Sequence, residues 1–550
     1  VFYPLEQLPL NVSFSIYLFS ISCLPGYYVL TQKRIFVDIK IIGYIIKYME
    51  RIYIAIDLGA ESGRGIIGNF DENKIYINEI HRFSTYNSII LNHRFWNVLS
   101  IFEEIKKILS IAKDKGEIAG IGVTTWGVDC GFIGENNLLL SNPFHYRDER
   151  TNGIMEEVFQ ILPKERIFKE TGIQFMPLNT LFQLYATKKE FPYLIDNCKT
   201  LLFMPDLFNF FLTGEKFCEY TITTTSQMYN SLASGQNKAP RGNWCYGLLE
   251  ELGIKTDFLP QVISSGTLIG NITKKLQEEL TLPSVPVFAV CCHDTASAVV
   301  GTPAKEEEKW AYLSSGTWSL LGVEIDEPII NEKGLEYNFT NEGGFGGTIR
   351  FLKNIMGLWI LQECKKEWDK TGNIFKYEEL VEMAKNATPF YAFIDVNNAD
   401  FLYPGNMIDK IKNYCKKTGQ KIPEDIPQIV RVIFESLAME YRYVIEKMEE
   451  ILGYEIEILH IVGGGSKNSL LSQFAASSTK KIVITGPSEA TSVGNLLIQA
   501  LARREIKDIS QVREIIRNSF PLIVYRPENV EIWDENYQKY LKLKSFHYGL

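Results

Sequence analysis

Apolar and polar residues alternate along the chain in a pattern that predicts strands and helices in turn. Three apolar runs, bounded by glycine or polar residues, are typical of strands at 52–59 (IYIAIDLG), 63–70 (GRGIIGNF) and 74–83 (KIYINEIHRF). Segment 98–116 (VLSIFEEIKKILSIAKDKG) predicts a helix, because its apolar residues recur at helical spacing. They fall on one face, at Ile101, Ile105, Ile108 and Leu109. A further strand is predicted over 118–133, so the chain shows the alternation of an α/β fold with a mixed sheet.

The opening pattern returns in the second half of the chain. The stretch 310–324 (WAYLSSGTWSLLGVE) is again strand, small polar turn and strand, and aligning Gly59 with Gly316 gives an offset of 316 − 59 = 257 residues. Further elements are predicted as an apolar helix at 349–368, strands at 455–465 and 480–486, and a helix at 492–503. A chain of 550 residues is too long for one hydrophobic core. We therefore expect two domains of similar architecture, related by duplication.

The first 48 residues differ from the rest. The first methionine is Met49, and residues 12–30 carry no charge and are long enough to suggest a membrane span. Pro25 and Gly26 interrupt that run, and no basic segment or cleavage site frames a signal peptide. We expect residues 1–48 to be a non-native or disordered extension and the working protein to begin at Met49. A membrane anchor at 12–30 is the alternative.

Charge and cysteine usage narrow the class of protein. The formal net charge of −9 argues against a general nucleic-acid binder, which would present a basic face. Nine cysteines without a C-x-x-C pair make a zinc ribbon unlikely and suit reduced thiols in the cytoplasm. The adjacent Cys291 and Cys292 could form a redox pair, but two small buried strand residues are the more common case.

Two turns carry candidate chemistry for an anion. Asp57 ends an apolar strand, and burying a carboxylate is costly unless a partner compensates. The turn after it, Gly59–Arg64, is therefore either a plain hairpin or a site for something positive or phosphate-bearing. Ser314–Ser319 is a second turn of small polar residues, where backbone N–H groups and hydroxyls can reach an anion. Two such turns facing across a cleft could grip a polyphosphate from both sides.

Two further strand ends are candidates for nucleotide binding and catalysis. In 460–474 (HIVGGGSKNSLLSQF) a strand ends in three glycines before a helix, which suits close approach of a phosphate. The spacing matches neither the Rossmann nor the P-loop motif, and a tight structural turn is the alternative. Asp294 ends another strand at a helix start, where it could act as a base or, like Thr295, as a helix cap.

A polar and aromatic cluster could bind a polyol. A strand end carries Thr124, Trp126, Gly127 and Asp129, and the polar segment Tyr146–Arg150 comes soon after. Aromatic rings can stack on a sugar face while carboxylate and guanidinium groups bond its hydroxyls. A surface ion-pair cluster is equally consistent with the composition.

These motifs together resemble the FGGY carbohydrate kinases. The resemblance covers Met49 to about Arg526 and rests on DLGAESGR, TTWGVDCGF, YRDERTNG, GIQFMPLNTLFQL, HDTASAV, YLSSGTWSLLG, TNEGG, LKNIMGLWILQ and HIVGGGSKNSLLSQ. It implies an α/β fold of two actin-like (ribonuclease H-like) domains with an active-site cleft between them. The implied domains are 49–300, with the sugar site and the first phosphate turn, and 301–535, which binds the nucleotide.

The resemblance also assigns roles to residues. It implies ATP and Mg²⁺ as cofactors, with Asp57 placing the metal. The residues implied to contact ATP are Ala60, Glu61, Ser62, Gly63, Arg64, Thr317, Asn354, Gln362 and Gly464. The residues implied to contact the sugar are Gly127, His293, Asp294 and Thr295. Asp294 is implied to be the general base. Glu61 departs from the pattern, because some family members have Ser there; its carboxylate could join the Mg²⁺ water shell or point to solvent.

The activity implied is ATP-dependent phosphorylation of L-rhamnulose at its 1-hydroxyl, in cytoplasmic L-rhamnose catabolism. The partners are then small molecules, with no nucleic acid and no membrane, and the protein is a monomer or homodimer. Two alternatives stay open: another ketose or polyol kinase of fuculose or xylulose type, or a non-catalytic actin-like ATPase switch. A switch needs no second pocket, so the pairing of Asp294 with Trp126 and Tyr146 favours a kinase.

Overall fold

The computed structural model describes residues 51–71, 73–231 and 240–545 of the chain. The extension predicted over residues 1–48, with its uncharged stretch 12–30, lies outside these described residues. Within the described ranges, no helix has the length and apolar character needed to cross a membrane. A compact unit begins at Ile52.

A six-stranded mixed sheet organises the first half of this unit, with two-stranded ladders beside it. The strands up to residue 300 are β1 Arg51–Leu58, β2 Ser62–Phe70, β3 Ile75–Ser84, β4 Asn87–Ile90, β5 His93–Trp96, β6 Glu117–Thr125, β7 Cys130–Ile133, β8 Thr200–Phe203, β9 Cys218–Glu219, β10 Tyr229–Asn230, β11 Asn243–Trp244, β12 Val262–Ile263, β13 Thr267–Asn271 and β14 Pro286–Ala289. The helices are α1 Val98–Ala112, α2 Ile154–Ile161, α3 Lys164–Thr171, α4 Thr180–Glu190, α5 Pro192–Asn197, α6 Met204–Thr213, α7 Tyr220–Thr223, α8 Tyr246–Glu251, α9 Lys274–Leu280 and α10 Asp294–Val300.

A seven-stranded mixed sheet organises the second half. Its strands are β15 Trp310–Ser315, β16 Trp318–Ile325, β17 Thr340–Gly343, β18 Ile349–Met356, β19 Ile458–Val462, β20 Ile482–Thr485 and β21 Ile523–Tyr525. The helices are α11 Glu332–Glu336, α12 Trp359–Lys370, α13 Tyr377–Asn386, α14 Met407–Lys417, α15 Ile426–Leu452, α16 Ser469–Thr479, α17 Ala490–Ala502, α18 Ile509–Ser519 and α19 Val530–Ser545.

The two sheets share one strand order. The first contains the run β14-β6-β1-β2-β3 and the second the run β20-β19-β15-β16-β18. In each, the hairpin that opens the half is antiparallel, β1 with β2 and β15 with β16. The later strands pair in parallel, β6 with β14 and β19 with β20. This order confirms the predicted α/β fold with two mixed sheets, and it sets the two hairpin turns at equivalent places.

Helix α1 forms as its apolar spacing predicts. The residues at that spacing, Ile101, Ile105, Ile108 and Leu109, are all fully buried against the first sheet. Asn97 caps the helix, because its side chain accepts a hydrogen bond from the backbone N–H of Ser100.

The predicted helix over 349–368 is wrong in its first half. Residues 349–356 form β18, and the helix starts only at Trp359. Strand β18 lies between β16 and β17, and its first four residues are all buried. A strand covered on both faces loses its apolar–polar alternation and reads like a buried helix.

Two other local predictions also need correction. The strand predicted over 118–133 is two strands, β6 and β7, separated at Val128, whose φ is +67°. The sequence predicts Asp294 or Thr295 as the cap of α10, but the capping position is occupied by His293. The His293 side chain makes no capping hydrogen bond. Asp294 is therefore the first residue of the helix itself.

Helix α17 belongs to the core of the first sheet although it lies late in the chain. Its buried residues Val493, Leu496 and Leu497 pack in the same cluster as β1 and β6. Gln499 Nε2 donates to the carbonyl of Ile54 in β1 at 3.0 Å. The helix thus ties the end of the chain to the start of the first half. The domain bounds 49–300 and 301–535 stay predictions.

Candidate active site

A cavity of about 330 Å³ opens between the two halves, where both hairpin turns meet. The first half contributes to its wall Asp57, Gly59, Ala60, Glu61, Ser62, Arg64, Trp126, Gly127, Val128, Tyr146, Met176, Leu178, Asp294 and Thr295. The second half contributes Ser314, Ser315, Gly316, Thr317, Trp318, Leu320, Gln362, Gly463, Gly464 and Thr491.

The first turn is held by the buried carboxylate of Asp57. Arg64 lies opposite Asp57 in the β1–β2 ladder, and its Nε donates to Asp57 Oδ2 at 2.9 Å. Arg64 Nη1 also pairs with Glu489 Oε2 at 2.7 Å. Asp57 and Glu489 together raise the pKa of Arg64. Protein partners thus offset the free-energy cost of burying Asp57. Arg64 lies between the carboxylates of Asp57 and Glu489 and lines the cavity.

Asp57 is also suited to help hold a divalent cation. Its bonds to Arg64 and to Ser492 both use Oδ2, which leaves Oδ1 outside those bonds. In the part of the chain that the structure describes, no group of three or more His, Cys, Asp or Glu side chains is arranged around a common metal position. Mg²⁺ commonly takes one or two carboxylates and completes its shell with water and substrate phosphates. One cavity-lining carboxylate beside a phosphate turn therefore fits that ion.

The second turn is built from backbone groups and small side chains. Between β15 and β16, Gly316 N–H donates to the Trp318 carbonyl at 2.9 Å, which closes the turn. Gly463 approaches from the end of β19 with φ +82°, so that its missing Cβ lets it pack against Ser315. Gly464 next to it faces open space in the cavity. These residues form a smooth backbone surface of the kind that phosphates approach closely.

The candidate base Asp294 is the first residue of α10 and lines the cavity. Burial raises its pKa, neighbouring His293 opposes that rise, and the charge of Asp57 adds to it. His293 Nε2 lies 3.4 Å from Asp294 Oδ1. A carboxylate with a raised pKa, pointing into a cavity beside two anion-binding turns, can accept a proton there.

The aromatic wall of the cavity is fixed by Asp129. Asp129 Oδ2 accepts hydrogen bonds from the ring N–H groups of Trp96 at 2.6 Å and Trp126 at 3.0 Å, and Oδ1 accepts from Gln183 Nε2 at 2.9 Å. Burial raises the pKa of Asp129 to about 6. Trp126 and Tyr146 face the cavity. Asp129 therefore orients the wall and is not free to bond a sugar.

The alternative of a surface ion-pair cluster at Tyr146–Arg150 is wrong. Arg147, Asp148 and Arg150 are all buried. Arg150 is held between Asp148 and Gln183. Arg147 reaches the second half, where its guanidinium carbon lies 3.9 Å from the ring centre of Trp359 and its Nη1 donates to the Leu402 carbonyl. The cluster joins the two halves beside the cavity.

The cavity brings together most of the residues singled out in the sequence. Those on its wall are Asp57, Ala60, Glu61, Ser62, Arg64, Gly127, Asp294, Thr295, Thr317, Gln362 and Gly464. Three do not line it: Gly63 packs against Phe83, His293 lies behind Asp294, and Asn354 is engaged elsewhere. The N–H of Asn354 donates to Gln174 Oε1 at 2.9 Å, and its side-chain amide donates to the same oxygen at 3.1 Å.

Glu61 is exposed to solvent, and its carboxylate lies 3.1 Å from Lys366 Nζ on α12, so it pairs with the second half. Both side chains are partly exposed. Exposed pairs of this kind contribute little to stability, about 0–1 kcal/mol. A contact of Glu61 with the water shell of Mg²⁺ stays a prediction.

Four residues at the site were not singled out from the sequence. Met176 and Leu178 line the cavity, Thr491 lies on its wall, and Glu489 pairs with Arg64. The segment TGPSEATS, which runs from the end of β20 into the first turn of α17, carried a signal, because polar residues at a strand end next to a helix start are typical of ligand sites. Met176 and Leu178 lie in the motif GIQFMPLNTLFQL, but as individual apolar residues they gave no indication of a site, since such residues are usually core.

Two sequence-family models match this chain. The model described as the FGGY family of carbohydrate kinases, N-terminal domain, matches residues 52–301, and the model for the C-terminal domain matches residues 311–503. Fold and cavity thus belong to a carbohydrate kinase. The chain is a member of the FGGY family of carbohydrate kinases, as the sequence motifs predict.

Curated relatives cover nearly the whole chain. A rhamnulokinase of Bacteroides thetaiotaomicron is 41% identical over 490 residues, which span 89% of this chain and 98% of that protein. A rhamnulokinase of Oceanobacillus iheyensis is 42% identical, with 88% and 100% covered. A rhamnulokinase of Bacillus subtilis is 38% identical, with 87% and 96% covered.

Solved structures share the fold at low sequence identity. A ligand-bound xylulose kinase from Lactobacillus acidophilus aligns with a TM-score of 0.72 at 15% identity, covering 91% of this chain and 99% of that one. A Plasmodium falciparum glycerol kinase with ADP aligns with a TM-score of 0.70 at 15% identity, covering 90% and 98%. The pairing of two such sheets is therefore common to kinases of different sugars and polyols.

Proposed function

We propose that the protein transfers the γ-phosphoryl group of ATP to the 1-hydroxyl of L-rhamnulose, giving L-rhamnulose 1-phosphate and ADP. The observation that carries the proposal is the meeting of Asp294 with both phosphate turns in one cavity. A base next to a phosphate cradle is what a hydroxyl nucleophile requires. The choice of sugar is supported by the relatives named rhamnulokinase, which align over almost their full length.

In this proposal the turns position ATP and the carboxylate activates the sugar. Backbone N–H groups near Gly316 and Gly464 bind phosphate oxygens, and Arg64 offsets their negative charge. Asp294 accepts the proton of the 1-hydroxyl while that oxygen bonds to the γ-phosphorus and the bond to the ADP oxygen breaks. Asp57 would hold Mg²⁺, which when bound neutralises charge on the phosphates.

The sugar end of the cavity suits a 6-deoxy ketose. Trp126 and Tyr146 offer ring faces near Gly127 and Asp294. Met176 and Leu178 add apolar surface to the same cavity. L-rhamnulose ends in a methyl group, whose burial against apolar side chains is favourable, whereas a terminal hydroxyl buried there would lose hydrogen bonds to water. Substrates that carry that hydroxyl would be bound less well.

We place the reaction in the cytoplasm, where ATP is available. The cysteines of the described residues, from Cys130 to Cys415, are free and buried, which is consistent with a reducing compartment.

A ketose panel tests the function. Release of ADP is followed by a coupled assay with MgATP and, in turn, L-rhamnulose, L-fuculose, D-xylulose and glycerol. We expect turnover to be highest with L-rhamnulose and ATP hydrolysis without sugar to be negligible. Faster turnover of another ketose would reassign the substrate. Sugar-independent hydrolysis that no panel member accelerates would favour the ATPase switch instead.

A further inference from the structure

A buried ion pair lies beside His293, the residue that precedes the candidate base. Glu342 in β17 and Arg350 in β18 are opposite each other in the antiparallel ladder, with Arg350 Nη2 3.1 Å from Glu342 Oε2. Both side chains are almost completely buried. Burial alone would raise the pKa of Glu342, but Arg350 beside it lowers that pKa below its usual value, so the pair is ionised.

The third member of this cluster is His293, which comes from the other half of the molecule. Arg350 Nη2 lies 3.1 Å from His293 Nδ1, and Glu342 Oε2 lies 3.4 Å from the same nitrogen. The second ring nitrogen, Nε2, lies 3.4 Å from Asp294 Oδ1. The imidazole therefore stands between a charge pair on the second sheet and the base on α10.

The two groups at Nδ1 make opposite demands on the ring proton. A guanidinium group has only donors, so the 3.1 Å contact of Arg350 Nη2 requires Nδ1 to be the acceptor, whereas Glu342 Oε2, 3.4 Å away, would accept from an Nδ1–H. The shorter contact, to Arg350, favours Nδ1 as the acceptor. The imidazole proton is then on Nε2, where it faces Asp294. A doubly protonated ring would place an N–H at Nδ1 against the Arg350 donor. Glu342 keeps Arg350 in place and satisfies its charge.

The backbone next to the ring is also fixed. The N–H of His293 donates to Thr221 Oγ1 at 3.2 Å, and the N–H of Cys292 donates to buried Glu219 Oε2 at 3.2 Å. The charged groups that face the imidazole are thus Asp294, Glu342 and Arg350, with Glu219 behind the main chain. Because these hydrogen bonds fix the backbone, the position of the ring proton is the remaining variable at His293.

We propose that Arg350 and Glu342 are positioning residues, which fix His293 as the Nε2–H tautomer and so direct its N–H at Asp294 Oδ1. The inference rests on the proposed function only for the role of Asp294 as base. In this arrangement the contact of the His293 N–H with the base depends on the second sheet. The residues that set the tautomer lie in that sheet, whereas the base lies on α10.

Nitrogen-15 NMR of the full chain with labelled histidine reads the tautomer directly. The chain has six histidines, and the His293→Gln variant identifies the signal of His293 by its loss. We expect a proton on Nε2 and an unprotonated Nδ1 at neutral pH. A proton on Nδ1, or on both nitrogens, would overturn the proposal. This measurement needs neither sugar nor ATP, so it decides the tautomer whatever the ketose panel gives.

Kinetics then test whether the tautomer matters for the base. Arg350→Met removes the donor, and we expect kcat to fall by roughly a hundredfold with an unchanged KM for ATP, since small misplacement of a reacting group has effects of that size. Arg350→Lys keeps a charged donor and should restore most of kcat. No restoration by lysine, or a change in the KM for ATP alone, would count against a positioning role.

A double-mutant cycle separates positioning from general structure. In His293→Gln the side-chain amide can donate from the place of Nε2 without help from Arg350, so adding Arg350→Met should then cost much less than in the wild type. An equal loss in both backgrounds would show that Arg350 does not act through His293. The matched control is Arg431→Met, which breaks the pair of Arg431 with buried Glu435 (2.7 Å) away from the cavity. It should lower the melting temperature and leave kcat unchanged.

Discussion

Ser492 Oγ donates a 3.0 Å hydrogen bond to Asp57 Oδ2, although 435 residues separate the two in the chain. Arg64 uses the same oxygen. The end of β1, the first turn and the start of α17 therefore meet at one carboxylate oxygen, on the wall of the cavity.

Replacing Asp57 by Asn should raise the Mg²⁺ concentration needed for half-maximal rate by about tenfold. The amide keeps the shape of the carboxylate but loses its charge, and one charge interaction near a protein surface is worth about a few kcal/mol at most. Initial rates against Mg²⁺ at fixed ATP measure the change. Asp71→Asn, in the exposed turn after β2, is the control. An unaltered Mg²⁺ dependence would show that Asp57 does not bind the metal and that its role is limited to the ion pair with Arg64.

Replacing Asp294 by Asn should lower kcat by about 10²–10⁴-fold, the usual contribution of a general base. The affinity for ATP should stay the same, because the amide has the same size and does not disturb either turn. Steady-state assays give kcat, and calorimetric titration gives the affinity for ATP. Near-normal kcat in this variant would refute the assignment of the base.

The pH dependence of kcat/KM should follow the raised pKa of Asp294. A base works only when deprotonated, so activity should fall as the pH drops through that pKa, at a higher pH than for an exposed aspartate. Because the charge of Asp57 contributes to that shift in the metal-free protein, Asp57→Asn should lower the pKa of Asp294 there. Carbon-13 NMR titration of both proteins, with labelled aspartate and without Mg²⁺, makes the comparison. Equal pKa values of Asp294 would mean that Asp57 does not influence the base.

Two of the three neighbouring glycines after β19 should respond differently to alanine. A Cβ at Gly464 meets no protein atom within 4 Å, so Gly464→Ala should leave the melting temperature unchanged but raise the KM for ATP. A Cβ at Gly465 would overlap Ser315, so Gly465→Ala should lower the melting temperature. Gly247→Ala, on exposed helix α8, is the neutral control. Equal KM values for Gly464→Ala and wild type would place the nucleotide elsewhere.

The sequence predicted the turns well, because their information is local. Asp57, the glycines after it and the echo at Ser314–Ser319 all lie within single strand-turn-strand units, and both units form as predicted. The helix α1 followed in the same way from its spacing.

What the sequence could not predict depends on distant pairing. Arg350 becomes a partner of His293 only because the fold brings β18 next to the residue that precedes α10, and the two residues are 57 apart in the chain. From the sequence, Asp129 is a candidate sugar ligand, but in the structure Trp96, from another strand, donates a hydrogen bond to one of its carboxylate oxygens. The misread helix at 349–356 has the same origin, since strands on both sides supply the burial.

Helix α17 has a consequence for synthesis of the protein. The hydrogen bond from Gln499 to Ile54 spans 445 residues, and the apolar face of α17 completes the core of the first sheet. On the ribosome, that sheet is made first but stays without this cover until almost the whole chain has emerged. A chain that stops before residue 490 lacks this cover, so we expect part of the apolar core of the first sheet to stay exposed in it.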